Sequence, residues 1–301
     1  LQTVLKKNDS IYLVAPSGIF NPSLLQQSNR YLNKHNLTAL YHNDVLNPHM
    51  HFANDDAFRF QDLKRALLQK QAKYLWAFRG GSGAQRLLPY LQRMQKPKQE
   101  KILIGFSDVS FLQNYFALHW GWRALHAPVM NRLARGLASQ TEEKRLWSLL
   151  KGSDNILKGL RPMNEKANKQ KQIKGKIIGG NLTTLQASLG SPLNFRASGK
   201  ILFLEDVAEA PYRIDRALVS LKQAGVLRAA KAIVFGGFTD CQHKAGTPSI
   251  QKELQSFANE CSGIPIYRGI KVGHGAIQMP LWINHFSILK DNKLIQESPL
   301  K

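Results

Sequence analysis

Three residues far apart in the chain stand where reactive side chains collect in α/β proteins. Ser107 lies in Gly105-Phe106-Ser107-Asp108, where the apolar run 101–105 passes directly into helically spaced Val109, Leu112, Tyr115 and Phe116. A serine at such a strand-to-helix elbow has its Oγ pushed out of the sheet. The first N–H groups of the helix, Asp108's foremost, then face whatever binds there, and those amides can hold a developing oxyanion. A plain helix cap would also call for serine, so the elbow alone leaves both readings open. Glu205 ends the strong buried strand 200–206, and a carboxylate buried there must be paired, hydrogen-bonded or functional. Its structural alternative is a salt bridge to Arg213 or Arg216, and Asp206 is the runner-up for the same role. His274 sits between glycines in Val272-Gly273-His274-Gly275-Ala276. Its small neighbours leave room for a substrate, and a loop histidine can use both ring nitrogens.

Other candidates are less pointed. His42, His49 and His51 share one polar stretch, but nothing nearby completes a cluster, so no metal site is expected. His119 and His126 flank Trp120-Gly121-Trp122-Arg123-Ala124-Leu125 and read as packing or capping residues. The glycine loop 79–83, Arg-Gly-Gly-Ser-Gly, has neither a Walker lysine nor G-x-G-x-x-G spacing. It reads instead as backbone brought close to a substrate, offering a second oxyanion donor.

These residues need a scaffold that gathers strand ends. A short strand in 10–18 precedes a helix carrying Leu24, Leu25, Ser28, Tyr31 and Leu32 on one face, and 57–68 is again helical. Then come a strand at 73–78, the glycine loop and the Ser107 elbow. Strands alternating with amphipathic helices predict a mainly parallel sheet covered on both faces, with reactive groups at the carboxyl ends of its strands. After a helix near 141–150 the composition turns Lys-rich. The chain is therefore divided into an N-terminal α/β domain, 1–152, a Lys-rich linker, 153–174, and a C-terminal domain, 175–301. The last is expected to hold strands in 175–190, 200–206, 229–238 and 263–269, a helix in 213–227, and a closing segment 271–289.

Composition narrows the class. Hydrophobic residues are 43% and charged ones 21% of 301, the profile of a soluble globular protein, and no apolar run approaches the ~18 residues of a membrane span. Lys and Arg number 42 against 20 Asp and Glu, a net charge of +22. Such a surface attracts polyanions, but the cations are scattered, and their densest cluster, 158–176, is punctuated by Gly and Pro like a solvated loop. Cys241 and Cys261 are the only cysteines; a disulfide between them would favour an exported protein.

Taken together, the motifs VAPSG, FRGGSGAQRLLPYL, IGFSDVSFL, IIGGNLTTLQASLGSP, FLEDVAEAPYRIDRAL and VGHGAIQMP resemble the serine LD-carboxypeptidases, which include murein tetrapeptide carboxypeptidases and microcin self-immunity peptidases. The resemblance spans nearly the whole chain. It implies a glutamine-amidotransferase-like, mainly parallel first domain and a smaller swivelling β/α second domain, commonly as a homodimer. It implies Ser107 as nucleophile, His274 as base and Glu205 as its orienting partner. Asp108 and Gly81 become the oxyanion donors, with Gly80 and Asn181 beside them in the oxyanion and substrate-binding set. No metal, organic cofactor or nucleic-acid partner is expected. The implied reaction releases terminal D-alanine from meso-diaminopimelate in peptidoglycan tetrapeptides through an acyl-enzyme. Alternatives are cleavage of a peptide–nucleotide antibiotic by the same triad and, from another class, non-catalytic polyanion binding. The chain departs from the family at Ser82, where the loop usually has an aromatic, at Leu281-Trp282 after Pro280, and at Ala127 in a motif usually H-G-P. A basic chain with no initiating methionine suits the anionic wall of a periplasm, with the cytoplasm as the alternative.

Overall fold

The apolar runs of the sequence are the inner strands of two sheets. The computed structural model describes residues 4–242 and 249–300. In chain order the first strands are β1 (Ser10–Val14), β2 (Thr38–Leu40), β3 (Ala72–Ala77), β4 (Ile102–Gly105) and β5 (Ala124–His126). They pair in parallel in the order β5-β4-β3-β1-β2. Helices Ser23–Lys34, Asp56–Leu68 and Ser110–Tyr115 connect them. Every residue of β4 is buried, as expected of a parallel strand covered on both faces. Even Lys101, which precedes β4, is buried, its Nζ donating to the carbonyls of Gln69 (2.5 Å) and Ala72 (2.7 Å).

The remaining strands are β6 (Asn155–Lys158), β7 (Arg161–Pro162), β8 (Ile173–Asn181), β9 (Ile201–Val207), β10 (Ala232–Thr239), β11 (Ile266–Arg268), β12 (Leu281–Ile283), β13 (His285–Lys290) and β14 (Lys293–Gln296). Eight of them form a second sheet, β6-β14-β13-β8-β9-β10-β11-β7, parallel from β8 to β11 and antiparallel at its margins.

Two expectations are corrected. The stretch 153–174 is not a bare linker: it contributes β6, β7 and the helix Glu165–Asn168 to the second sheet and its cover. Asn155 and Leu157 turn inward while Ile156 and Lys158 turn out, a period of two hidden beneath Lys-rich composition. Its polar side chains are used internally, Asn164 donating to Ile264 O at 2.8 Å and Asn155 to Pro280 O at 2.9 Å. The segment 271–289 does not simply close the second sheet either. Leu281, Trp282 and Ile283 pair antiparallel with His126, Leu125 and Ala124, so β12 is an edge strand of the first sheet.

Candidate active site

The Ser107 elbow is backbone held where few side chains settle. After the buried β4, Ser107 takes φ 63°, a left-handed conformation that costs a non-glycine residue roughly 1–3 kcal/mol and persists where surrounding contacts impose it. A 3-10 turn, Ser107–Val109, leads into the α-helix Ser110–Tyr115 and then a π-turn, Phe116–Trp120. The glycine loop packs directly on the elbow. A Cβ on Gly80 would lie 2.8 Å from Ser107 Cβ and 3.0 Å from its Oγ, so only glycine lets the two backbones approach so closely. Two bonds fix the loop: Gly18 N–H donates to Gly80 O at 3.1 Å, and Ala84 N–H donates to Asp108 Oδ2 at 2.8 Å. Asp108 thus has two attributes, a backbone amide next to Ser107 and a buried carboxyl that anchors the loop carrying Gly81. Burial pushes that carboxyl above the usual range, against the pull of the Ala84 N–H and the Arg59 charge.

On the other sheet, Glu205 near the end of β9 is fully buried. His274, in the loop after β11, turns both its backbone and its ring towards it. His274 N–H donates to Glu205 Oε2 at 3.0 Å, and Nδ1 lies 2.7 Å from the same oxygen. Gly273, at φ 102°, makes this fit possible, since a Cβ there would fall 2.5–2.6 Å from Glu205 Oε2, Cβ and Cγ. Burial would raise the Glu205 pKa. The His274 ring bond and charge, aided by His126 and the His274 N–H, outweigh burial and hold it below the ordinary value. Glu205 is therefore ionised at neutral pH and can only accept, so Nδ1 carries the proton and Nε2 is left as the basic nitrogen.

The predicted residues are drawn together unequally. Glu205 and His274 are bonded, and the arginine alternative for Glu205 does not hold, since Arg213 pairs with Glu209 and Arg216 lies over the Tyr212 ring. The His274 ring lies 4.5 Å from that of Phe106, the residue immediately before Ser107. Ser107 Oγ itself makes no hydrogen bond to another described residue. Asp206, the runner-up, accepts from Asn181 Nδ2, from Thr183 N–H and hydroxyl, and from its neighbour Val207 N–H, a structural use of its carboxylate. Asn181 caps the helix Leu182–Ala187 through Thr184 N–H at 3.0 Å, so its carboxamide is committed to the fold. Cys241 and Cys261 are both free thiols. Among the described residues no group of three His, Cys, Asp or Glu could hold a metal ion, and no helix is long and apolar enough to cross a membrane.

Three neighbours of the site were not among the residues predicted for it. Asn114 and Ser110, on the elbow helix, bond to β8, and His126 is buried between Phe106 and Phe203. His126 pairs with Gly105 across the first sheet, so it too stands at the carboxyl end of a strand, an address that could have singled it out.

Residues 11–127 match the model of the LD-carboxypeptidase N-terminal domain and residues 174–287 that of the C-terminal domain. The murein tetrapeptide carboxypeptidase of Pseudomonas aeruginosa is 31% identical over 94% of this chain and 94% of its own length. The crystal structure of the muramoyltetrapeptide carboxypeptidase from Oxalobacter formigenes superposes with a TM-score of 0.84 at 25% identity, covering 97% of this chain and 99% of that one. An MccF-like protein from Bacillus anthracis superposes at 0.82 with 19% identity, covering 99% of each chain, a likeness of fold.

Proposed function

The chain belongs to the LD-carboxypeptidase family, and on that premise we propose that it removes the terminal D-amino acid from peptidoglycan tetrapeptides with Ser107 as nucleophile, His274 as base and Glu205 as the orienting carboxylate. The observation that carries this reading is the Glu205–His274 pair at 2.7 Å, its carboxylate fully buried and its imidazole against Phe106, the residue before a serine held at positive φ. Glu205 fixes the Nδ1–H tautomer, so Nε2 accepts the Ser107 proton as Oγ attacks the carbonyl of the L-centre, and the imidazolium that forms is stabilised by the carboxylate. The amides of Asp108 and Gly81 stabilise the tetrahedral oxyanion, each contributing roughly 10²–10³ in turnover. His274 then protonates the departing D-amino acid, and water releases the acyl-enzyme with His274 again as base. Serine–base bonds are commonly loose without substrate, and in this reading the Ser107–His274 bond closes as the substrate enters.

Mass spectrometry of purified muropeptides tests this. Wild type should convert tetrapeptide to tripeptide with loss of one alanine, and Ser107→Ala should be slower by at least about 10³-fold. A peptidyl-nucleotide assayed alongside should be the poorer substrate. Equal turnover of tetrapeptide by both forms would overturn the proposal.

A further inference from the structure

Glu205 has two oxygens and His274 uses only one. Oε2 takes both His274 bonds, while Oε1 is buried without a hydrogen-bond partner. His126 is likewise buried, 1% exposed, with neither Nδ1 nor Nε2 bonded. The two orphans are linked through the same few side chains. His126 packs edge-on against Phe203 at 5.3 Å, and Phe203 stands two residues before Glu205, hence on the same face of β9. On its other side His126 meets Phe106 at 6.0 Å, and Phe106 also contacts the His274 ring. Buried polar groups in native proteins are almost always hydrogen-bonded, and an ionised carboxylate oxygen can only accept. A neutral imidazole has one N–H to give.

We propose that His126 is a positioning residue for hydrolysis, its ring N–H donating to Glu205 Oε1 directly or through one bound water, so that the carboxylate is held from both sides. The hydrogen-bond order then runs from His126 to Glu205, His274 and Ser107. His126 touches no reacting atom and acts on His274 through Glu205. The environment suits a neutral donor: burial, joined by the His274 charge and against that of Glu205, pushes the His126 pKa down to about 4. The other titratable groups whose charges meet Glu205 are Asp206 on the same strand and Cys241 after β10. Gly180 and Ser110, which close the far side near Nδ1, bring no charge. The inference rests on the triad reading above.

The test compares His126→Phe, which keeps a ring but no donor, with His126→Gln, which keeps an N–H, using tetrapeptide across pH. Removing the donor leaves Glu205 more basic, and its hold on the imidazolium raises the pH at which the base becomes protonated. His126→Phe should lower kcat roughly 10- to 100-fold, the cost of a small misplacement of the catalytic groups, with KM little changed. The acid limb of kcat/KM should move up by about one pH unit, and His126→Gln should restore most of both. A Phe variant with the wild-type acid limb, or a Gln variant no better than Phe, would overturn the inference. Should His126→Phe not fold, wild-type protein with ¹⁵N-labelled histidine decides the question. A neutral, solvent-protected His126 N–H whose resonance moves in Glu205→Gln is expected, and one that titrates near the ordinary histidine value, or ignores Glu205→Gln, contradicts it. Undiminished activity of Ser107→Ala would instead sink the triad reading itself.

Discussion

The carboxamide of Asn114 is bonded twice to the backbone of Gly179: Nδ2 donates to Gly179 O at 2.8 Å, and Gly179 N–H donates to Oδ1 at 3.0 Å. The side chain thereby acts as one more strand residue against β8. Ser110, on the same helix, accepts from Asn181 N–H at 3.3 Å. The helix that follows Ser107 is thus fastened to the strand neighbouring Glu205, whose register partner on β8 is Asn181. A further bond, from Arg132 to Ala276 O at 3.0 Å, holds the loop that bears His274. The two sheets contribute different parts of the candidate site, and these polar bonds tie those parts together.

Asn114→Ala should therefore damage both stability and chemistry. It leaves a buried N–H and C=O of Gly179 unpaired, at a cost of about 3 kcal/mol. Small misplacement of the elbow relative to Glu205 and His274 should lower kcat on the order of 10- to 100-fold. Urea titration and steady-state kinetics read the two effects. Wild-type kcat in a destabilised protein would show that the clamp serves folding alone.

Gly273→Ala should act on Glu205 more than on the fold. The added methyl meets Glu205 where no atom can fit, and φ at this position is 102°. We expect kcat to fall about 100-fold, with the circular dichroism spectrum retained. Full activity would mean that the Glu205–His274 contact does not govern turnover.

Acid should weaken the fold through His126. Its folded pKa is about 4, against an ordinary 6.5. The unfolded chain therefore takes up a proton on acidification well before the native state does. A depressed histidine favours the native state fully above pH 6.5, and that advantage is lost as pH falls from 6.5 towards 4, by about 3 kcal/mol. His126→Gln removes this component, so denaturation midpoints of wild type and variant should converge on acidification. Parallel curves would contradict the assignment.

Much of the proposed site was legible because its residues sit at strand ends, where composition changes abruptly. Ser107 follows β4, Glu205 interrupts an apolar strand and His274 lies between glycines, each visible from a few neighbours. The second sheet's margin was not, because abundant lysine in 153–174 masked the alternation of Asn155, Ile156, Leu157 and Lys158. Nor was the return of β12 to the first sheet, since three residues pairing with 124–126 depend on tertiary placement rather than local pattern. His126 looked like packing for a related reason. What distinguishes it is Glu205, a partner remote in sequence and close only in the folded chain.

In the proposed mechanism Ser107 carries the acyl group. Wild-type protein mixed with tetrapeptide, quenched in acid within the first turnovers and digested for mass spectrometry, should yield the peptide containing Ser107 enlarged by one tripeptidyl group. Ser107→Ala should show no adduct and should release D-alanine at least about 10³-fold more slowly. Release of D-alanine by Ser107→Ala at the wild-type rate, or an adduct on another residue, would contradict the account.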